Sequence, residues 1–200
     1  MLIIGLTGPS GAGKSTVSEI FASYGIPVMN ADQIYHRLLI PPSECLSELT
    51  EHFGRQILTP DGTLNRAALA SIVFEDPTEL EALNSIAHRH VLKETSRLIR
   101  QYGENGAPAA VFDAPQLFES GADRQCNVII SVLASPELRL HRILMRDDIT
   151  PEAVQKRFAA QKPDSFFRAH SDYVIENDSN PDNLIPRVRE ILLETGVLSK

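Results

Sequence analysis

The chain has 200 residues, 42% of them hydrophobic and 22% charged, with a formal net charge of −7. That length suits one compact domain with small appendages, and the composition supports an ordinary globular core. The acidic balance argues against non-specific binding to nucleic acid or a membrane surface, since both need a basic footprint.

The first element is the run LIIGL at 2–6, apolar, branched and bounded by Gly. It predicts a buried parallel strand. It is too short for a secretory leader and lacks a basic start, and no run approaches the ~20 residues of a membrane span. Residues 14–24 predict a helix, with Val17, Ile20, Phe21 and Tyr24 at helical spacing. GIPVMN at 25–30 predicts a second short strand. Strand, Gly-rich loop, helix and strand make a βαβ unit.

Residues 31–105 change character and contain no strand signal. Helices are expected over 31–40, 44–53 and 66–74. A longer one is announced by Asp76 as N-cap, Pro77 at the first helical position and Glu79 two residues on, and is expected to close at Gly103. On the order of 70 helical residues exceed the dozen or so of a crossover, so this is an inserted helical subdomain. AAVFDA at 109–114 and NVIISVL at 127–133 predict the third and fourth strands. Helices follow to about Arg146 and Gln161, then a fifth strand at 172–177. A final helix carries Leu184, Val188, Ile191 and Leu192 on one face.

The sum is an α/β fold: a five-stranded parallel sheet flanked by helices, with an inserted helical substrate domain and a lid. The nucleotide core is expected at 1–30, 106–145 and 170–200, the helical substrate domain at 31–105 and the lid at 146–169. Ligands belong at the carboxyl ends of the strands. Cys45 and Cys126 show no CxxC spacing, which fits reduced thiols in a cytoplasmic protein, and the His and Cys residues show no zinc spacing.

The chemistry begins with Gly8-x4-Gly13-Lys14-Ser15, a full phosphate-loop pattern between strand and helix. The residues from Gly8 through Pro9, Ser10, Gly11, Ala12, Gly13, Lys14 and Ser15 to Thr16 are expected to hold ATP. Their amides turn toward phosphate, and Lys14 adds a positive charge. The Ser15 hydroxyl suits Mg²⁺. Asp113, ending the third strand, is a second candidate metal ligand, with a turn-forming Asp as the alternative. Asp32 follows the second strand. It fits a base for an attacking hydroxyl or a holder of a metal-bound water or, equally, a helix N-cap. Arg139, Arg142 and Arg146 lie i, i+3, i+7 on one helix face; they fit clamps on a transferring phosphoryl group, Arg146 above all, or a solvated face. Arg66, His88 and His90 are weaker candidates.

An insertion after strand two gives a second substrate its own walls, which points to a P-loop kinase for a small molecule. No Asn-Lys-x-Asp guanine motif follows a late strand. A kinase for nucleosides or nucleotides, and a nucleotide-binding regulator without phosphotransfer, remain open readings of these residues.

The ordered set GLTG…GAGKSTV, ADQIYHRLL, DGTLNRAALASIVFED, LNSIAH, DAPQLFESG, RDDITPEAVQKRFAAQ and DYVIEND resembles the dephospho-coenzyme A kinase family over nearly the whole chain. That resemblance implies transfer from ATP, with Mg²⁺, to the 3′-hydroxyl of dephospho-CoA. It implies Asp32 as the base, Arg66 and His88 at the dephospho-CoA site, Arg146 and Gln161 in the lid, and Asn177 near adenine. It also implies a small-molecule partner, no nucleic acid or membrane, and a monomer or weak homo-oligomer. Asn30 stands where the family's Asp-Ala-Asp has its first Asp, Pro9 where Gly is usual, Arg89 where Pro follows the His, and Gln116 where a Leu is usual.

Overall fold

The computed structural model describes residues 1–178 and 181–199. Its elements are β1 (Leu2–Thr7), α1 (Lys14–Ser23), β2 (Val28–Asn30), α2 (Ala31–Leu38), α3 (Glu44–Phe53), α4 (Arg66–Glu75) and α5 (Pro77–Glu104). They continue with β3 (Ala109–Asp113), β4 (Val128–Leu133), α6 (Pro136–Arg146), α7 (Pro151–Ala159), α8 (Asp164–His170), β5 (Tyr173–Glu176) and α9 (Leu184–Glu194).

The five strands form one parallel sheet in the order β2-β3-β1-β4-β5. β1 is central, with Leu6 opposite Asp113 of β3 and Thr7 opposite Ser131 of β4. Its run is apolar from Leu2 to Leu6 because strands lie on both sides of it and helices cover its faces. The strand order reverses around β1, so a crevice opens beyond its carboxyl end.

The chain divides into two compact units, Met1–Met29 with Ile99–Lys200 and Asn30–Leu98. In the first, Val17, Ile20 and Phe21 of α1 and Leu184, Val188, Ile191 and Leu192 of α9 pack on Ile4, Leu6, Val111, Ile130 and Val132 of the sheet. Phe21 is fully buried, which contributes about 1.5–3 kcal/mol relative to exposure. The second unit has its own core, built from Leu39, Cys45, Leu49, Phe53, Ile57, Leu69, Val73 and Ile86.

Its helix starts are set by side-chain caps. Asn30 accepts from the Gln33 amide at 2.9 Å, Ser43 from Leu46 at 3.1 Å and Asn65 from Ala68 at 3.1 Å. The expected cap on α5 is present, with Asp76 Oδ1 accepting from the Thr78 amide at 2.8 Å. A cap of this kind stabilises a helix by about 1 kcal/mol.

Three local expectations are corrected. Asp32 is not the N-cap of α2; Asn30 is, and Asp32 lies within the first turn. α5 runs past Gly103 to Glu104. A helical Gly costs only about 1 kcal/mol relative to Ala, and the stop comes from Gly106, whose φ is +79°. There Ala107 N–H bonds to Tyr102 C=O and Gly106 N–H to Gly103 C=O, a Schellman ending. α8 was not anticipated: seven residues between Pro163 and Ser171 are too few to show a period.

Candidate active site

The loop between β1 and α1 holds Gly8, Gly11 and Gly13 at positive φ, and the first and last of them show why only Gly fits. Gly8 has φ +138°, and a Cβ there would stand 2.1 Å from the Val132 carbonyl oxygen. Gly13, with φ +95°, is the residue before α1, and its Cβ would meet Asn177 Nδ2 at 2.2 Å. The loop wraps back so that Lys14 Nζ donates to the Gly8 carbonyl at 2.8 Å. The result is a concave turn at a helix N-terminus, with a cation across its mouth, which is the geometry that attracts phosphate.

Neighbouring elements fasten the loop from behind. Asn177, just past β5 and buried, donates Nδ2 to the Ala12 carbonyl at 2.8 Å, and its amide donates to the Leu133 carbonyl at 2.8 Å. Arg142 on α6 donates to the carbonyls of Ala12 at 3.3 Å and Asn177 at 2.9 Å. Arg139, one turn earlier, donates Nε to the Ser10 carbonyl at 2.9 Å. It is 6% exposed; burial lowers the pKa of its guanidinium, and Asp164 partly counters that. The solvated-face reading therefore fails for Arg139: its side chain is spent on the loop and the chain beyond α7.

Arg146, at the end of the same helix, is exposed and donates to Asp147 at 2.8 and 3.1 Å. Arg157 of α7 reaches the same carboxylate at 2.8 Å. The hydrogen bonds from Arg146 and then Arg157 hold the Asp147 carboxyl far below the usual range.

Asp113 is buried at the end of β3, where its Oδ2 accepts from Ser18 Oγ at 3.0 Å. Ser18 lies three residues after Ser15, on the same side of α1. The carboxylate of Asp113 and the hydroxyl of Ser15 thus flank one side of the helix start. Both are hard oxygen donors, as Mg²⁺ prefers. Among the described residues no group of three or more His, Cys, Asp or Glu is poised to cage a metal ion. A loop that shares its metal with phosphate oxygens and water needs no such cage.

The remaining predicted residues belong to the second unit. Asp32 is exposed on α2, with its carboxylate not used as the cap. Tyr35 is three residues on, along the same side of the helix. Burial pushes the Tyr35 hydroxyl up to about 12, and the positive charge of Arg66 acts against that rise. Arg66 opens α4, and His88 is half-buried on α5. The structure therefore gathers Gly8–Thr16, Asp113 and Asn177 in one unit, and Asp32, Arg66 and His88 in the other. Sequence reasoning undervalued Arg139 and Arg142. Their spacing was visible, but it did not say which helix face meets the loop.

A five-stranded parallel sheet carrying this phosphate loop at its central strand defines a nucleotide-binding protein of the P-loop kinase class. Comparison narrows the class. A family model described as dephospho-CoA kinase matches residues 2–183. A dephospho-CoA kinase of Corynebacterium glutamicum is 36% identical over 194 residues, covering 97% of each chain. A crystal structure of a Thermus thermophilus protein superposes with a TM-score of 0.81 at 32% identity, covering 96% of this chain and 97% of that one. A dephospho-CoA kinase from Campylobacter jejuni, at 24% identity and a TM-score of 0.71 with 98% of each chain covered, shares the fold. The chain belongs to the dephospho-CoA kinase family.

Proposed function

We propose that this protein transfers the γ-phosphoryl group of ATP to the ribose 3′-hydroxyl of dephospho-CoA, giving CoA and ADP in the cytoplasm. The observation that carries the reading is the shaped phosphate loop, with Lys14 drawn across it to Gly8 at 2.8 Å, on a chain that matches the dephospho-CoA kinase family over 2–183. The loop amides and Lys14 hold the β- and γ-phosphates. Asp32 orients the acceptor hydroxyl and takes its proton. Arg66 and His88 bind the acceptor within a substrate domain at 31–105. Residues 146–169 act as a lid, in which Arg146 exchanges Asp147 for the transferring group, and Asn177 borders the adenine end. Ser15 and Asp113 hold Mg²⁺, in keeping with their oxygen donors. When bound, Mg²⁺ neutralises charge on the β- and γ-phosphate oxygens. The working unit is a monomer or a weak homo-oligomer, and it needs neither nucleic acid nor a membrane. Among the described residues no helix is long and apolar enough to cross a membrane.

The rate comes chiefly from positioning and from positive charge aimed at the phosphoryl oxygens. The test is ADP release with dephospho-CoA, uridine, cytidine and nucleoside monophosphates as acceptors. Stimulation by dephospho-CoA well above the others is expected. Stimulation by a nucleoside alone would replace the acceptor in this reading, and ATP binding without any acceptor-dependent release would remove the kinase activity.

A further inference from the structure

Arg139 makes more contacts than fastening a loop requires. Its Nε donates to the Ser10 carbonyl at 2.9 Å. Its terminal nitrogens reach Gln161 Oε1 at 3.2 Å and Asp164 Oδ1 at 3.4 Å. The guanidinium lies over the Phe158 ring, 4.3 Å from the centroid. Phe158 belongs to the last turn of α7, Gln161 to the connector and Asp164 to the first turn of α8. One buried side chain therefore touches the phosphate loop and three successive points of the chain between α7 and α8.

Gln161 closes the arrangement. The oxygen that accepts from Arg139 also accepts from the Ser10 amide at 3.2 Å. Both backbone groups of Ser10 are thus occupied, the carbonyl by Arg139 and the amide by Gln161. The three residues form a triangle whose corners lie on the loop, on α6 and on the α7–α8 connector. A planar fork is needed to serve Ser10, Gln161 and Asp164 at once, and an ammonium point charge does not provide one.

We propose that Arg139 is a positioning residue that latches the phosphate loop to the α7–α8 segment, so that the loop at Ser10 and the posture of that segment are set together. Arg139 acts through Ser10 and Gln161, not by touching phosphate. This rests on the reading of the loop as the ATP site, and it adds the coupling between loop and lid. Removing either Arg139 or Gln161 opens the same triangle, so their effects on ATP binding do not add.

The experiment is calorimetric ATP binding without acceptor for the wild type, Arg139→Met, Gln161→Leu, the double variant and Arg139→Lys, with hydrogen exchange read at the Ser10 amide. Each single change is expected to weaken ATP about 10-fold, or about 1.4 kcal/mol, the scale of one hydrogen bond to a charged group. The double variant should lose no more than about 20-fold. Ser10 exchange should quicken in both single variants, and Gln161→Leu should keep the wild-type melting temperature. Arg139→Lys should recover ATP affinity only in part, because it restores the Ser10 contact alone.

Losses that multiply in the double variant overturn the latch, as does an Arg139→Met protein that binds ATP like the wild type. If Arg139→Met does not fold, Gln161→Leu decides: wild-type affinity and wild-type Ser10 exchange in that variant overturn the latch as well. No acceptor is present, so failure of dephospho-CoA in the ADP-release test would refute the substrate assignment and leave these outcomes intact.

Discussion

Replacing Gly8 by Ala tests whether the phosphate loop owes its shape to backbone packed against backbone. At φ +138° an L side chain is strained by about 1–3 kcal/mol. The added Cβ would stand 2.1 Å from the Val132 carbonyl oxygen and 3.1 Å from that residue's carbonyl carbon and amide nitrogen. Relief requires about 1 Å of movement before ordinary contact is restored. Val132 is fully buried within β4, which is paired to β1 on one side and β5 on the other. Forcing such a shift in a packed interior adds about 1–3 kcal/mol. The sum is about 2–6 kcal/mol, against a total stability of about 5–15 kcal/mol for a domain. At roughly 2–4 °C per kcal/mol, Gly8→Ala should melt about 5–20 °C below the wild type.

Gly25→Ala is the matched control. Gly25 lies in the same unit with φ +77°, and a Cβ there meets nothing within 4 Å. Only the left-handed strain remains, about 1–2 kcal/mol. Far-ultraviolet circular dichroism melts of the two variants, with ATP titrations at low temperature, separate strain from clash. Gly8→Ala should melt lower than Gly25→Ala and should bind ATP poorly even where folded, while Gly25→Ala binds it normally. If the two variants melt within about 2 °C of each other, the close approach to Val132 is not what shapes the loop.

Asp32→Asn should lower kcat by about 10²-fold or more with ATP affinity intact, the scale of a lost general base; turnover near wild type would remove Asp32 from that role. Alkaline stability should fall from about pH 9 upward, because burial pushes Cys45 to about 11, Cys126 to about 12 and Tyr35 to about 12. Each folded value lies above the unfolded one, so the stabilisation is full below pH 9 and is lost as pH rises toward the folded values. For fully buried Cys45 the slope approaches about 1.4 kcal/mol per pH unit, and urea titrations at pH 8, 9 and 10 that give a flat stability would refute it. The same burial predicts that both thiols of the native protein react slowly with a disulfide reagent at pH 8 and quickly after unfolding.

Legibility from the sequence tracked how local the causes were. β1, β3 and β4 were readable because a strand buried on both faces must be largely apolar without alternation, as LIIGL, AAVF and the VIISVL run broken only by Ser131 are. The loop was readable because its chemistry is written in consecutive residues. The end of α5 was not. Gly103 and Gly106 are both plausible stops, and only Gly106 takes the left-handed turn, because Ala107 bonds back to Tyr102 from there. The three arginines of α6 show the same limit at longer range. Spacing put Arg139, Arg142 and Arg146 on one face, but a periodic stripe of charge looks the same whether it meets water or backbone carbonyls. Which it meets depends on a loop about 130 residues earlier in the chain.

Asn30 shows how a departure from the family pattern can leave a helix start intact. The first position of the Asp-Ala-Asp segment serves here as the N-cap of α2, a task that requires a short side-chain oxygen and not a charge. Asn and Asp cap about equally well, and Asn30 does so at 2.9 Å to the Gln33 amide. The substitution therefore keeps the helix start that carries Asp32. It also leaves Asp32 as the only carboxylate of α2. An Asp at position 30 would cap as well. Asn30→Asp should thus leave the melting temperature unchanged in a circular dichroism melt, and a shift of more than about 2 °C would show that the residue at position 30 does more than cap the helix.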